Sequence, residues 1–376
     1  MNARIATTTV CVVAAAIFAL RPAQVVNASA NQAGGARSVT LARPNKPPTT
    51  SEMATISALP TLGRGLIAEA LSVNAAGTVI VGSAWDRDDL LHGVTWTLQN
   101  GTWAIAALPT PPDATSAIAR GAGDAGAGGN DFPGTRSRAM FWPWTGGFQV
   151  LGCNDDLGPA TVYGISRDGQ VVVGVERSPG TARAAVWPTT PGACRVDLPP
   201  LVAGVSASAH AVNGDGTLVG GSSNGFPVRW TLSFGQWQIA QLDNRLGWAS
   251  GANAIGDLAG NVEVSNGTAG CTLSDGCQRA VIWHAQGGAL EPGTLGGAHS
   301  WARDVNASGE VVGGSTSPQI GNTGFFWSPS VGMYQLPVSG QWAAANAVSD
   351  VRPDGTRLVV GMNSKGLPVV WVVRKG

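Results

Sequence analysis

Short apolar runs alternate with glycine-containing turns along the chain after residue 54. Runs of β-branched residues that end in glycine, such as Val79–Gly82 and Val171–Gly174, are typical of buried strands. Asp-Gly pairs between such runs, for example Asp168-Gly169, predict hairpin turns, because glycine readily adopts the positive φ that a tight turn requires. We expect each of these strands to end at its glycine.

Seven tryptophans divide the chain at nearly equal steps of 46, 45, 43, 53, 44 and 44 residues. A fixed period of about 45 residues is the signature of a β-propeller or a solenoid. Each unit resolves into four short strands, of which the third carries the tryptophan and the fourth ends in leucine. Seven such units predict an all-β, seven-bladed β-propeller with four-stranded blades, in which the repeated tryptophans pack between blades. They are Trp96, Trp142, Trp187, Trp230, Trp283, Trp327 and Trp371.

The first and last units complement each other. The last unit stops shortly after Trp371 and lacks a fourth strand, whereas Ile56–Leu59 precedes the first unit as an isolated strand. The step of 11 residues from Leu59 to Ala70 equals internal steps between a fourth strand and the next first strand. We therefore expect the N-terminal strand to complete the C-terminal blade and to close the ring, which hides two sheet edges.

Residues 1–30 predict a secretory signal peptide. Arg4 precedes the apolar run Val10–Leu20, and Ala28–Ala30 supplies the small residues of a cleavage site. The run is shorter than the roughly 18 residues that span a bilayer, so we expect a secreted or periplasmic protein without membrane insertion. Residues 31–53 are rich in Pro, Ala, Asn, Thr and Ser and predict a flexible leader. The propeller is expected to occupy residues 54–376.

Four cysteines follow the predicted signal peptide. An even number in an exported chain indicates disulfides, for which three connectivities exist. Cys271 and Cys277 bracket a turn-like loop, and Cys153 and Cys194 flank the fourth strands of adjacent units. We expect these two pairs to be bridged, with Cα separations of roughly 4.4–6.8 Å. The alternative, a metal site, would require more closely spaced cysteines and a nearby histidine.

The clearest copy of the repeat combines Thr294–Asn306, Val311–Ser315 and Phe325–Trp327. This pattern resembles that of the HAF-repeat family of bacterial extracellular proteins, and the resemblance covers nearly all of residues 54–376. It is strong in units one, four and six. Units two and five depart from it, with Gly121–Gly129 and Asn261–Val264 where the Val-Val-Gly run is expected. The resemblance implies secretion and repeats, and it implies no settled activity.

Composition and motifs exclude several classes of function. The net charge is zero, so nothing indicates a nucleic-acid or anionic-membrane partner. Metalloprotease, serine-hydrolase, P-loop and dinucleotide-binding motifs are absent from the sequence. The histidines are not spaced for chelation, and we expect no cofactor and no metal. The loop carboxylates of Asp86–Asp89 and Asp155-Asp156 are interpreted as solvated, the alternative being a loose calcium site.

Aromatic and basic residues collect near the connections that enter the first strands. In a propeller these connections surround one mouth of the central channel, where ligands usually bind. Stacking and charge-assisted hydrogen bonds from such residues suit a carbohydrate or an acidic sugar. The alternative is that the loops only cover the channel. The candidate ligand-binding residues are Arg64, His210, Trp248, His299, Trp301, Arg303 and Trp342.

Three functions remain open on sequence alone. The first is a secreted, monomeric, non-catalytic propeller that binds a glycan or another cell-surface component. The second is a polysaccharide lyase or hydrolase, for which Tyr163, His210, His299 and Arg303 are the candidate residues. The third is a structural or adhesion protein. Titratable groups that converge in one pocket would favour the enzyme, and a shallow mouth lined by aromatic side chains would favour the binding protein. A channel filled by side chains would favour the structural or adhesion protein.

Overall fold

The computed structural model describes residues 39–41, 54–63, 67–153, 159–178, 180–267, 271 and 276–374. The predicted signal peptide and the pair Asp155-Asp156 lie outside these residues. Within the described part of the chain all regular secondary structure is β-strand, grouped in seven antiparallel four-stranded sheets, one of which gains a fifth strand. No helix of this part is long and apolar enough to cross a membrane. The predicted seven-bladed β-propeller is therefore confirmed.

Each of the first six blades is formed by four strands in chain order, and the seventh takes its fourth strand from the N-terminal side of the chain. The two strands that precede blade 1 are β1 (Val39–Leu41) and β2 (Ala54–Ala58). The strands of blades 1 to 3 are β3 (Ala68–Val73), β4 (Val79–Trp85), β5 (Leu91–Gln99), β6 (Thr102–Ala107), β7 (Ala117–Ala122), β8 (Gly126–Asp131), β9 (Arg138–Pro143), β10 (Gln149–Val150), β11 (Ala160–Ile165), β12 (Val171–Ser178), β13 (Thr181–Pro188) and β14 (Val196–Asp197).

The remaining four blades follow the same order. Their strands are β15 (Ala207–Val212), β16 (Leu218–Ser223), β17 (Phe226–Ser233), β18 (Gln236–Gln241), β19 (Gly247–Ala252), β20 (Leu258–Val264), β21 (Cys277–Trp283), β22 (Ala289–Glu291), β23 (Ser300–Val305), β24 (Val311–Ser317), β25 (Gly321–Ser328), β26 (Gly332–Gln335), β27 (Ala343–Val348), β28 (Thr356–Asn363) and β29 (Pro368–Arg374).

The N-terminal strand β2 closes the ring as predicted. It pairs antiparallel with β29, with Ile56 opposite Trp371. The backbone N–H of Leu59 then donates to the carbonyl of Pro368 at 2.9 Å. Blade 7 packs in turn against blade 1, because Leu358 and Val360 of β28 share a buried cluster with Ala70 of β3. The pairing protects the outer edge of β29.

A short strand within the predicted leader adds a feature that the composition did not indicate. The backbone of β1 pairs in parallel with β22 and forms the fifth strand of blade 5. It therefore covers the outer edge of that blade. The rest of residues 31–53 lies outside the described residues.

The seven repeated tryptophans lie in the third strands and are all buried, which confirms that they pack in the core. In four of them the indole Nε1 donates to the carbonyl of a proline that follows the fourth strand of the preceding blade. Each blade interface of this kind therefore carries one hydrogen bond between buried elements in addition to its apolar contacts. The pairs are Trp96 with Pro60, Trp142 with Pro109, Trp230 with Pro199 and Trp371 with Pro337, at 2.7, 2.8, 2.7 and 2.7 Å.

The glycine of the Val-Val-Gly run does not end its strand, which corrects the sequence prediction. In β4, for example, the strand continues from Gly82 to Trp85. The reason is a β-bulge in the neighbouring first strand, since Gly82 lies opposite Ala70, the residue before the bulge. A Cβ at this position would overlap the carbonyl oxygen of Glu69. The equivalent glycines are Gly82, Gly129, Gly174, Gly221, Gly260, Gly313 and Gly361.

Blade 5 follows the same rule once its register is corrected. Gly260 lies opposite Ala249, so Leu258–Gly260 takes the place of the Val-Val-Gly run. Residues Asn261–Val264, which stand where the sequence pattern led us to expect that run, continue the strand beyond the glycine.

Both predicted disulfides are present. The Cα atoms are 4.7 Å apart in Cys153–Cys194 and 5.7 Å apart in Cys271–Cys277, within the expected range. The first bridge joins blade 2 to blade 3, since Cys153 follows β10 and Cys194 precedes β14. Two disulfides indicate an oxidising compartment.

Candidate functional site

A cavity of about 320 Å³ lies in the central channel of the propeller. Its lining comes from the first strands of all seven blades and from the turns that connect them to the second strands. The cavity therefore lies toward the end of the channel at which these turns gather. The connections entering the first strands, where the sequence predicts the binding mouth, lie at the opposite end.

One residue of each first strand forms a β-bulge, and all seven of these residues line the cavity. At a bulge the extra residue has no partner in the ladder, and its side chain is re-aimed. We call this set the bulge ring. Its members are Leu71, Arg120, Tyr163, His210, Ser250, Arg303 and Asn346.

The bulge ring is the variable part of an otherwise regular strand. The residue before the bulge is Ala in six blades and Val162 in blade 3, and it is fully buried or nearly so. The bulge residue itself differs in size, charge and hydrogen-bonding capacity from one blade to the next. Seven similar strands thus build an asymmetric lining, which is the property that a specific ligand site requires.

Tyr163 and His210 form an aromatic pair within the ring. Their rings are stacked, with centroids 4.7 Å apart and planes inclined by 13°. Burial lowers the pKa of His210 to about 4. The imidazole is therefore neutral at neutral pH, with one ring nitrogen able to accept a hydrogen bond.

Arg303 and Asn346 form a polar chain that ends on Glu69. Arg303 Nη1 donates to Asn346 Oδ1 at 3.0 Å. Asn346 Nδ2 donates to Glu69 Oε1 at 3.1 Å and to the carbonyl of Ala70 at 2.9 Å. Burial lowers the pKa of Arg303, and the nearby charge of Glu69 opposes this effect.

Arg120 lies in the same ring without such a partner. Its Nε atom is buried and makes no hydrogen bond to any described residue. Burial lowers the pKa of its guanidinium, while Tyr163 and Glu69 act electrostatically in the opposite direction. An arginine remains protonated even when its pKa is lowered, so Arg120 presents a charged donor to the cavity.

An ion pair crosses the channel at the turn end. Arg167 Nη1 lies 2.9 Å from Asp350 Oδ2, and these residues belong to the turns of blades 3 and 7. Asp350 Oδ1 also accepts from the backbone N–H of Ala307 in blade 6 at 2.8 Å. The pair therefore narrows the turn-end mouth of the cavity.

The turns themselves are held by side chains of the repeat. Asn306 Oδ1 accepts from the backbone N–H groups of Ser308 and Glu310, both at 3.0 Å, and its Nδ2 donates to the carbonyl of Ser349 in the next blade at 3.0 Å. Such bonds fix a turn by satisfying its backbone groups. The cavity wall is consequently preorganised.

Asp304 follows Arg303 in the cavity lining and carries a perturbed carboxyl group. Its two oxygens accept from the backbone N–H groups of Val305 at 2.8 Å and Val348 at 2.9 Å. Burial nevertheless raises its pKa to about 6, because desolvation outweighs these bonds.

The structure brings two of the seven predicted ligand-binding residues into the cavity, His210 and Arg303. Arg64 lies outside the described residues. Trp248 and Trp301 are the second residues of β19 and β23, and neither lines the cavity. Trp248 is exposed, whereas the indole of Trp301 lies against Gly314 of the adjacent strand.

His299 and Trp342 also lie outside the cavity lining. His299 Nδ1 accepts from the backbone N–H of Gln278 at 3.1 Å. The carbonyl of Trp342, just before β27, accepts from the backbone N–H of Ser364 at 2.9 Å. A ligand-binding role for the four residues outside the cavity stays a prediction.

Sequence reasoning did not select Arg120, Ser250 and Asn346 as site residues. These residues could have been selected from the sequence because each occupies a position of the first strand that varies between repeats. A position that varies while its neighbours stay constant is free of the packing constraint that the blades share.

Comparisons with known proteins show the fold alone. No protein-family model matches the chain, and no curated protein matches it in sequence. The solved virginiamycin B lyase of Staphylococcus aureus is similar with a TM-score of 0.54 and 8% identity, over 86% of this chain and 99% of that one. An acylaminoacyl peptidase of Pyrococcus horikoshii gives a TM-score of 0.51 and 8% identity, over 82% of this chain and 52% of that one.

Proposed function

We propose that the protein is an exported, monomeric, non-catalytic propeller that binds a small carbohydrate in its central channel. The observation that carries the proposal is the bulge ring, which places seven side chains of six chemical types around one cavity. Two disulfides and the resemblance to the HAF-repeat family support export.

The size and the chemistry of the cavity suit a sugar. Ligand cavities commonly measure about 300–1,000 Å³, and this cavity of about 320 Å³ lies at the lower end. Sugars are recognised by hydrogen bonds to hydroxyl groups together with an aromatic surface. The ring offers the guanidinium of Arg120 as a donor and the hydroxyl oxygen of Ser250 as an acceptor, beside the aromatic pair of Tyr163 and His210.

Calorimetric titration with a panel of neutral and acidic monosaccharides and disaccharides tests this function. We expect His210→Ala and Tyr163→Ala to weaken binding of the selected sugar about tenfold, which corresponds to about 1.4 kcal/mol. Trp103→Ala, on the outer strand β6, is the control and should change the affinity little. If only Trp301→Ala weakens binding, the ligand occupies the opposite mouth and the cavity is not the site.

A second candidate, a lyase, is favoured by the convergence of titratable groups in the cavity. His210 is neutral and would act as the base that removes the proton α to a uronate carboxylate, with Arg120 neutralising the developing charge. Tyr163 would donate its proton to the leaving oxygen. Ultraviolet absorbance of unsaturated uronate products, measured with acidic polysaccharides, distinguishes this candidate from simple binding.

A further inference from the structure

We propose that Arg120 binds the carboxylate of an acidic sugar, so that the ligand of the channel is a monoanion. This inference rests on the proposed function and names its ligand class. It begins from the asymmetry between the two arginines of the bulge ring. Arg303 is engaged with Asn346, whereas Nε of Arg120 is buried and unpaired among the described residues.

A buried donor of a charged group that makes no hydrogen bond is costly, because the group has lost its water without gaining a partner. Because Nε itself is shielded from solvent, a ligand carboxylate would approach the terminal Nη groups of the same guanidinium and neutralise its buried charge. The planar guanidinium offers parallel N–H donors whose spacing matches the two oxygens of a carboxylate. A ligand carboxylate can therefore accept two hydrogen bonds from this guanidinium in the plane of the group, whereas the oxygen of a single hydroxyl group cannot match both donors.

The charges of the lining favour one negative charge on the ligand. Three guanidiniums and two carboxylates line the cavity, and Arg167 and Asp350 neutralise each other in their ion pair. Of the remaining charges of the lining, two are positive, on Arg120 and Arg303, and one is negative, on Asp304. Glu69 stands behind the lining, where Asn346 holds its carboxylate. A dianion such as phosphate would be repelled by these two carboxylates, whereas a monoanion places its one charge against Arg120.

The neighbours of Arg120 suit the rest of a sugar. Tyr163 of the next blade interacts with it electrostatically and is stacked on His210. Ser72 of the preceding blade also lines the cavity, where its Oγ accepts from the backbone N–H of Ala122 at 3.3 Å. A carboxylate on Arg120 would thus leave hydroxyl groups of the sugar beside a phenol and a serine.

Glucuronate and glucose form the matched pair of probes, because they differ only in the carboxylate at one carbon. At pH 7.5 we expect the intact protein to bind glucuronate at least about tenfold more tightly than glucose. Arg120→Gln should abolish this preference, so that the variant binds glucuronate no more tightly than it binds glucose. Arg120→Lys, which keeps the charge without the planar fork, should retain part of the preference. Arg87→Gln removes an exposed arginine and is the control.

Equal affinity of the intact protein for the two sugars would overturn the inference, as would a preference that survives in Arg120→Gln. A second readout separates this failure from that of the proposed function. Acetate should shift the Nε–H resonance of Arg120, assigned by its loss in Arg120→Lys, whereas chloride at the same ionic strength should not. An acetate shift without binding of any sugar would support the carboxylate site and refute the carbohydrate proposal. Absence of the acetate shift would refute the carboxylate site.

Discussion

The contribution to folding stability of the hydrogen bond from a repeated tryptophan to a proline of the preceding blade can be measured by comparing two blades of this protein. Trp230 Nε1 donates to the carbonyl of Pro199 at 2.7 Å. Trp283 occupies the equivalent position in the next blade, but its Nε1 is buried without a partner among the described residues. At that interface Leu242 is followed by Asp243 instead of proline. The same substitution to phenylalanine therefore probes a bonded and an unbonded indole.

The expected difference follows from the two environments. Both indoles are almost fully buried, so Trp230→Phe and Trp283→Phe lose similar amounts of packing. Trp230→Phe also loses a hydrogen bond worth about 1 kcal/mol net and leaves a carbonyl without its donor. Trp283→Phe removes an unsatisfied buried donor, which relieves about 1–3 kcal/mol. We expect Trp230→Phe to be more destabilising by about 2 kcal/mol or more.

Equilibrium unfolding in guanidinium chloride, with the disulfides intact, measures this difference. Tryptophan fluorescence and far-ultraviolet circular dichroism must give coincident transitions, because a chain of this size need not unfold in two states. The denaturation midpoint of Trp230→Phe should lie clearly below that of Trp283→Phe. Equal midpoints, or the reverse order, would refute the energetic role that we assign to the tryptophan–proline bond.

Three further predictions concern single positions. Gly221→Ala should destabilise the propeller by about 1–3 kcal/mol in thermal unfolding, because the new Cβ would overlap the carbonyl oxygen of Ser208. Gly214→Ala is the control and should cost less, because its Cβ would meet the nearest atom, Cβ of Arg167, at an ordinary 3.7 Å. Phe234→Asn should stabilise the protein by about 0.5–1 kcal/mol in the same assay, because the exposed phenylalanine adopts a φ of 49° that asparagine tolerates better; a loss would contradict this. The carboxyl group of Asp304 should titrate near pH 6 by carbon NMR. Because this pKa lies above the ordinary 3.8, the contribution of Asp304 to folding stability is present below about pH 4 and is lost as the pH rises through 6. A titration midpoint near 4 would contradict the burial of this carboxyl group.

The architecture followed from the sequence because it rests on periodic residues. The tryptophans report the number of blades, since each blade needs one large side chain against its neighbour. The closure of the ring could be predicted because the number of residues from Leu59 to Ala70 equals that between a fourth strand and the next first strand inside the chain. The pairing of Cys153 with Cys194 followed from their places beside the fourth strands of adjacent units, and that of Cys271 with Cys277 from the short loop between them.

The site was only partly predictable, because it depends on β-bulges. The sequence pattern cannot show that Arg120 or Ser250 is the extra residue in its strand, and alternation alone misassigns the direction of a bulged side chain. The same bulge explains why Gly82 continues its strand instead of ending it. His210 and Arg303 were selected for their chemistry, although their strands direct them to the end of the channel opposite the predicted mouth.

The most direct test of the channel site is a crystal structure of the full protein soaked with the sugar that binds most tightly in solution. We predict ligand density inside the cavity, in contact with Arg120, Tyr163 and His210. Density at the opposite mouth beside Trp248 or Trp301, with the cavity free of ligand, would contradict the assignment of the bulge ring as the binding site.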